Sequence, residues 1–193
     1  MKPRALSLTE VEVFGKAASS TGSNSSSSNL SQPIEGIGNL TKGKKAKQSS
    51  DWNPMYAGAA KAIDGNKNGY FRVGSMQNTI THTKDELNPW WEVDLGANYA
   101  VNTVVLYNRM DGCCWDRLQD FYIVISETPF TNSNTTVLPS KSVRYGPFSP
   151  WDASKKEYKL RNLDANGRYV RIYLKNNGKA RPLSLTEVEI FSK

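Results

Sequence analysis

A two-residue alternation of apolar and polar positions recurs along the chain, and no segment sustains a helical period. In residues 168–174, Val170, Ile172 and Leu174 alternate with Arg171 and Tyr173, and residues 91–95 (WEVDL), 101–107 and 121–126 are β-branched or aromatic runs. Runs of this kind lay one face on a core and suit strands. Turn chemistry separates them at Asp64-Gly65, Asn68-Gly69, Leu95-Gly96, 164–167 (DANG) and 176–178 (NNG). Many short strands in residues 37–193 predict an all-β fold, an antiparallel β-sandwich of jelly-roll type. Long loops of a sandwich gather at its ends, so functional chemistry is expected on loops.

The alternation also occurs where it is not needed. Residues 4–14 (RALSLTEVEVF) repeat at residues 181–191 (RPLSLTEVEIF), with 9 of 11 positions identical. Residues 17–33 between the copies are small and polar, unable to bury apolar area. The simplest organisation is a strand remnant of a preceding repeat (1–16), a flexible Ser/Gly-rich linker (17–36) and one complete module (37–193). Alternatively, residues 4–14 add a strand to this same module.

Composition narrows the class. The 193 residues are 38% hydrophobic and 22% charged, enough to bury a core without disulfide staples. No apolar run reaches the roughly 18–20 residues of a membrane span, and the N-terminal residues lack the apolar stretch of a signal peptide. The net charge of +7 lies wholly in residues 37–193, because the six charged residues of 1–36 cancel. Its densest piece is Lys42, Lys44, Lys45 and Lys47, which suits either an anionic partner or a lysine-protected strand edge. Two cysteines are too few for a disulfide scaffold or a structural zinc site, but they are adjacent, Cys113 and Cys114.

Candidate chemistry concentrates around those cysteines. The single histidine, His82, is joined by Arg109, Asp111 and Arg117 in a chain segment that also holds the cysteine pair. An imidazole and two guanidinium forks, one fixed by a carboxylate, are mostly donors and suit the lone pairs of hydroxyl and ether oxygens. An adjacent apolar plate would complete a sugar site.

His82, Arg109-x-Asp111, the vicinal cysteines and the downstream Arg117 resemble the signature of the F-type (fucose-binding) lectin family. The flanking sequence agrees over residues 37–193: 60–66 (AKAIDGN), 88–96 (NPWWEVDLG), 167–171 (GRYVR) and 185–189 (LTEVE). Within the family the chain resembles the lectin modules of streptococcal lectinolysin-type cytolysins and tandem bacterial fucolectins. The resemblance implies a galactose-binding-domain-like sandwich in which His82, Arg109 and Arg117 ligate the hydroxyls and ring oxygen of L-fucose. It implies that Asp111 orients the arginines and that Cys113 and Cys114 form a vicinal disulfide against the sugar. Phe71 or Tyr70 would receive the 6-methyl group. The chain departs from the pattern in one place: five residues, not four, separate Asp111 from Arg117, and Gly112 is the candidate to absorb the extra one.

The resemblance also implies a structural Ca2+. Its ligands would be the carbonyls of Lys61, Asn66 and Thr186, the carboxylates of Asp64 and Glu187, and a hydroxyl, an oxygen set that suits this ion. Ser75 keeps the spacing from Asp64 and is preferred as the hydroxyl, whereas Thr79 keeps the spacing from His82. Glu10 in the first copy matches Glu187 but lacks an Asp partner.

The Trp90-Trp91 pair is read as core. No phosphate loop, zinc pattern or nucleophile elbow occurs, and Asp111 and Asp116 sit among arginines that depress carboxylate pKa values, so no enzyme is expected. The expected partners are fucosylated glycans of blood-group or Lewis type on glycoproteins or glycolipids, outside the cell or at its surface. Neighbouring lectin repeats or an effector domain would accompany the module; neither nucleic acid nor membrane insertion is expected. The competing readings are a discoidin-like adhesion module and polyanion binding through residues 42–47.

Overall fold

The structure is a computed structural model that describes residues 38–71, 78–149 and 156–193. The expected strand remnant, the linker and Ser75 lie outside these residues. Seven strands follow in chain order: β1 Lys45–Gln48, β2 Trp90–Tyr107, β3 Phe121–Ser126, β4 Ser142–Phe148, β5 Glu157–Leu160, β6 Ala165–Leu174 and β7 Glu187–Ser192. The described residues contain no α-helix, only 3-10 turns at Ala59–Ile63 and Trp115–Arg117.

Every pairing is antiparallel, and β2 takes part in four of the six, all but β3 with β4 and β3 with β6. Its first half lies between β1 and β6, with Trp91 opposite Gln48 and Ile172. Its second half lies between β5 and β7, with Leu106 opposite Tyr158 and Val188. The register slips between Asp94 and Tyr99, where Gly96 adopts φ +86° and its N–H bonds the Asp94 carboxylate at 2.8 Å. The alternating runs 91–95 and 101–107, read as two strands, are therefore one strand that changes partners at a bend. The larger layer runs β1-β2-β6-β3-β4, and β5 and β7 flank the second half of β2 as the smaller layer. The fold is the all-β antiparallel sandwich that the alternation predicts.

Alternate residues of each strand meet inside. Trp91, Val93 and Leu95 from the first half of β2 and Val104 and Leu106 from the second join Ile123, Ile172, Val188 and Ile190 in one core. The Trp91 indole N–H finds the Ala59 carbonyl at 2.9 Å, which satisfies a donor with no access to water.

The two tryptophans part company. Trp90 lies on the outer face, in a smaller cluster with Val124, Phe130 and Tyr173. The Arg171 guanidinium packs 4.4 Å from its ring and 4.1 Å from that of Phe130. The same guanidinium bonds the buried Glu92 carboxylate at 2.7 and 2.9 Å and the Asn132 carbonyl at 2.9 Å. One ion pair thus ties β2, β6 and the β3–β4 connection together. Lys45 and Lys47 of the lysine run lie on the edge strand β1 and Lys42 and Lys44 precede it, with acidic residues beside the strand. Lys47 reaches Glu92 at 3.1 Å, and Lys45 stands opposite Asp94, which Arg168 holds in a fork at 2.7 and 2.8 Å.

Candidate functional site

The chain leaving β2 builds the cationic part of the site. Asn108 accepts the Arg109 N–H on its side-chain oxygen at 2.8 Å and donates to the Trp115 carbonyl at 2.9 Å, closing the loop that follows. Arg109 is buried and grips Asp111 through Nε and Nη2 at 2.6 and 2.8 Å. Burial by itself would raise the Asp111 carboxyl, but the hydrogen bond and charge of Arg109 outweigh it and hold the group below the usual carboxylate range. Gly112 then takes φ +85°, a left-handed conformation that costs glycine little. Cys113 and Cys114 are joined in a disulfide, and the Cys114 carbonyl accepts the Arg117 N–H at 3.2 Å. The 3-10 turn Trp115–Arg117 brings Arg117 Nη1 to 2.8 Å from His82 Nε2. The extra residue before Arg117 is accommodated within the loop.

His82 is fixed by its neighbours. Thr81 and Thr83 bond the Leu185 and Leu183 carbonyls at 2.9 and 3.1 Å, and the His82 N–H bonds the Ala57 carbonyl at 3.0 Å. His82 Nδ1 donates to the Thr83 carbonyl at 2.6 Å, so Nε2 carries the lone pair that meets Arg117. Burial lowers the pKa of this histidine, and the charges of Arg117 and Arg109 lower it further. The imidazole is neutral at physiological pH.

Aromatic rings form the adjoining wall. The Phe71 ring lies 4.5 Å from the Arg109 guanidinium carbon and 5.3 Å from the His82 ring, and its N–H bonds the Asp111 carboxylate at 3.3 Å. Close approach at Gly69 sets this position: its carbonyl accepts the Met110 N–H at 2.7 Å, and a Cβ there would lie 2.8 Å from the Asn108 carbonyl oxygen. Tyr70, the other aromatic expected to meet a methyl group, is exposed, and its ring contacts no other aromatic ring among the described residues. Trp52 also lies in this corner, 5.6 Å from Phe71 and 5.8 Å from His82, with its backbone N–H on the His82 carbonyl at 2.8 Å. Sequence reasoning passed over Trp52. An aromatic beside turn residues, 51–54 (DWNP), is the signal that could have flagged it.

The site therefore offers guanidinium donors, one imidazole lone pair and a partly exposed aromatic corner beside a disulfide. Among the described residues it holds no nucleophile paired with a base and no pair of opposed carboxylates. The model of the NedA-like galactose-binding domain matches residues 61–172. Fucolectin-6 of Anguilla japonica is 34% identical over 150 residues, which cover 76% of this chain and 71% of that protein. The chain belongs to the fucolectin family.

Solved structures place this fucolectin-family module in the same company. The lectin domain of lectinolysin, complexed with Lewis b antigen, superposes with a TM-score of 0.64 at 33% identity, covering 83% of this chain and 99% of that one. The f-lectin (fucolectin) from striped bass, Morone saxatilis, superposes at 0.67 and 33% identity, covering 80% of this chain and 48% of that one. Members of the family are carbohydrate-binding lectins, and the module is not an enzyme.

The loop expected to hold calcium sits against β7. The turn Ala59–Ile63 ends at Asp64, whose carboxylate accepts the Asn66 N–H at 2.9 Å, and Gly65 N–H lies 3.2 Å from both oxygens of Glu187. Glu187 is buried, and among the described residues no lysine, arginine or histidine pairs with it. Burial pushes its carboxyl up to about 7, and the nearby carboxylates of Asp64 and Glu189 add to the rise. A buried carboxyl with an acidic neighbour and no cation of its own fits a hard divalent ion. No trio of acidic, histidine or cysteine side chains gathers among the described residues, so carbonyls such as those of Lys61, Asn66 and Thr186 would supply the rest. The Thr79 hydroxyl is directed to the Asn68 carbonyl, with the Tyr70 carbonyl 3.2 Å away.

Proposed function

We propose that the module binds terminal α-L-fucose on blood-group or Lewis-type glycans. The observation that carries this reading is the convergence of His82, Arg109 and Arg117 beside Phe71 and Trp52, a donor-rich corner with an apolar shelf. A sugar hydroxyl takes the place of the Arg117 N–H at Nε2 of neutral His82 and donates there, while the two guanidiniums donate to this and neighbouring oxygens. The 6-methyl group rests on the aromatic corner, where its burial contributes about 0.8 kcal/mol. The names of the relatives and the Lewis b complex of the lectinolysin domain support the same ligand class.

Calcium bound by Asp64, Glu187 and the surrounding carbonyls, with Ser75 as the hydroxyl ligand, braces the loop that leads to Phe71. The module works outside the cell or at its surface, on glycoproteins or glycolipids, beside further lectin repeats or an effector domain. The repeat supports the tandem arrangement. Leu183, Leu185, Thr186, Glu187, Val188 and Ile190 are buried, and Leu6, Leu8, Thr9, Glu10, Val11 and Val13 match them with one conservative change. A segment that keeps these buried apolar and polar side chains, with valine for Ile190, is suited to close a sandwich. A small single site binds weakly, and linked copies supply avidity.

Calorimetry with L-fucose tests the site. His82→Ala and Arg109→Ala each abolish the binding heat without changing the far-ultraviolet circular dichroism. Unchanged affinity in either variant overturns the assignment.

A further inference from the structure

A second concave surface lies away from the aromatic corner. It is a cleft of about 820 Å³ between the segment leading into β2 and the β3–β4 connection, closed at one side by the loop after β6. That volume falls in the range of small-ligand sites, roughly 300–1,000 Å³. Its lining joins Trp90 and the exposed side chain of Leu87 to the polar side chains of Glu86, Asn134 and Asn176.

The polar walls are ordered in one sense. The Asn134 side-chain oxygen accepts the N–H of Thr136 at 3.0 Å, and that of Asn176 accepts the N–H of Gly178 at 2.9 Å. A backbone donor on the oxygen fixes which way each carboxamide points, so the NH2 group is the free end. Neither NH2 group bonds any described residue. Glu86 Oε1, in the same lining, accepts from the hydroxyls of Ser49 and Ser50, and no hydrogen bond among the described residues engages Oε2. The ion pair of Arg171 with Glu92, and its bond to Asn132, hold the Asn134 wall in place.

We propose that this cleft is a second carbohydrate subsite, for neutral sugar rings. Two oriented amide donors, one carboxylate acceptor and the apolar side chains of Leu87 and Trp90 match a ring that has hydroxyls around its rim and carbon–hydrogen bonds on its face. The Glu86 carboxylate disfavours anionic sugars and phosphates. The cleft shares its supports with the His82 site: Ser49 is three residues from Trp52, Glu86 is four from His82, and Ser50 Oγ accepts the Lys84 N–H at 2.9 Å between them. Inner sugars of a fucosylated glycan, or a separate neutral glycan, supply the ring. The cleft extends the fucose reading but does not need it, because none of its residues touches the His82–Arg117 pair.

The test compares L-fucose, a neutral fucosylated oligosaccharide and the same oligosaccharide without fucose, by calorimetry and by NMR of side-chain amide and indole signals. The expected result is that both oligosaccharides shift the Asn134 and Asn176 amide signals and the Trp90 indole signal, and that L-fucose alone does not. Asn134→Asp with Asn176→Asp keeps the turn-capping oxygens and removes the donors. This variant weakens the fucosylated oligosaccharide about tenfold, the scale of one or two lost hydrogen bonds, while L-fucose affinity stays unchanged. A fucosylated oligosaccharide that binds more tightly than L-fucose assigns the ring to the same glycan; equal affinity, with the fucose-free oligosaccharide still shifting the signals, assigns it to a separate one. Signals that stay still with both oligosaccharides, or oligosaccharide affinity unaltered in the double variant, overturn the proposal. Loss of L-fucose binding with the amide shifts retained overturns the fucose reading alone.

Discussion

Arg117 Nη1 donates to His82 Nε2 at 2.8 Å, although the two residues lie 35 apart in sequence and come from different loops. The contact exists because the Thr83 carbonyl takes the imidazole proton on the other nitrogen. Arg117 thereby marks which edge of the ring is the acceptor, and a sugar hydroxyl that bridges the two would donate to His82 and accept from Arg117. Protonating His82 would remove the acceptor and put a third cation beside Arg109 and Arg117.

Fucose binding is therefore expected to weaken in acid. His82 has a pKa below the ordinary value of about 6.5, because burial and the charges of Arg117 and Arg109 outweigh the Thr83 carbonyl hydrogen bond and, more weakly, Asp85, which favour the protonated ring. Affinity is flat above about pH 6.5 and falls about tenfold or more once the pH drops below the lowered pKa. Stability follows the same sign. The unfolded imidazole binds its proton at the higher pH, so the contribution of His82 is complete above about pH 6.5 and is lost as the pH falls below it. Calorimetry with L-fucose across this range, with His82→Gln as a non-titrating control, reads the effect. Equal affinity for the native protein at both ends of the range would refute the acceptor role.

The cysteine pair is expected to matter for binding more than for folding. A disulfide between neighbours closes so small a loop that chain entropy yields only about 1 kcal/mol. Replacing both cysteines with serine leaves the melting temperature within a few degrees of the native value, since roughly 2–4 °C accompanies each kcal/mol at this size. Fucose affinity falls by at least threefold, because the loop that leads into the Arg117 turn loses its rigid link. A large fall in melting temperature with intact affinity would reverse that division of roles.

How much of this was legible in the sequence depended on whether a residue signals through its neighbours or through space. The alternation of Val170, Ile172 and Leu174 marked β6, and the placing of His82 against Arg109-x-Asp111 marked the site before any fold was known. The continuity of β2 was hidden because Leu95-Gly96 reads as a turn, and it is a bend only because β6 pairs with both sides of it. Trp52 carried only a weak local signal for a related reason: it lies in a loop without a period, beside turn residues, and only folding brings it to Phe71 and His82. Trp90 and Trp91 are adjacent in a strand and so face opposite ways, which pair-level reading as core did not distinguish.

Calcium is expected to stabilise the module through Glu187. With the ion at a hundred times its dissociation constant, linkage contributes about 2.7 kcal/mol. That corresponds to a rise in melting temperature of roughly 5–10 °C over the chelated protein. Glu187→Gln keeps the shape and removes the charge, so its melting temperature no longer responds to calcium or to a chelator. A native protein indifferent to chelation would show that no structural ion acts here.

Arg171 is expected to be the most sensitive position outside the binding site. Its guanidinium is almost wholly buried, between Glu92 on one side and the rings of Trp90 and Phe130 on the other. Removing it leaves the Glu92 carboxylate buried, with only Lys47 at 3.1 Å as a counter-charge and no bond for the Asn132 carbonyl. Arg171→Met should cost about 3–5 kcal/mol in urea unfolding, the range for breaking one side of a buried pair. Replacing Glu92 with leucine in the same protein removes the stranded charge, and the double variant should recover most of the loss. A single variant close to native stability would mean that Lys47 alone satisfies Glu92. The β3–β4 connection would then be held by Phe130 and Thr135 rather than by the ion pair.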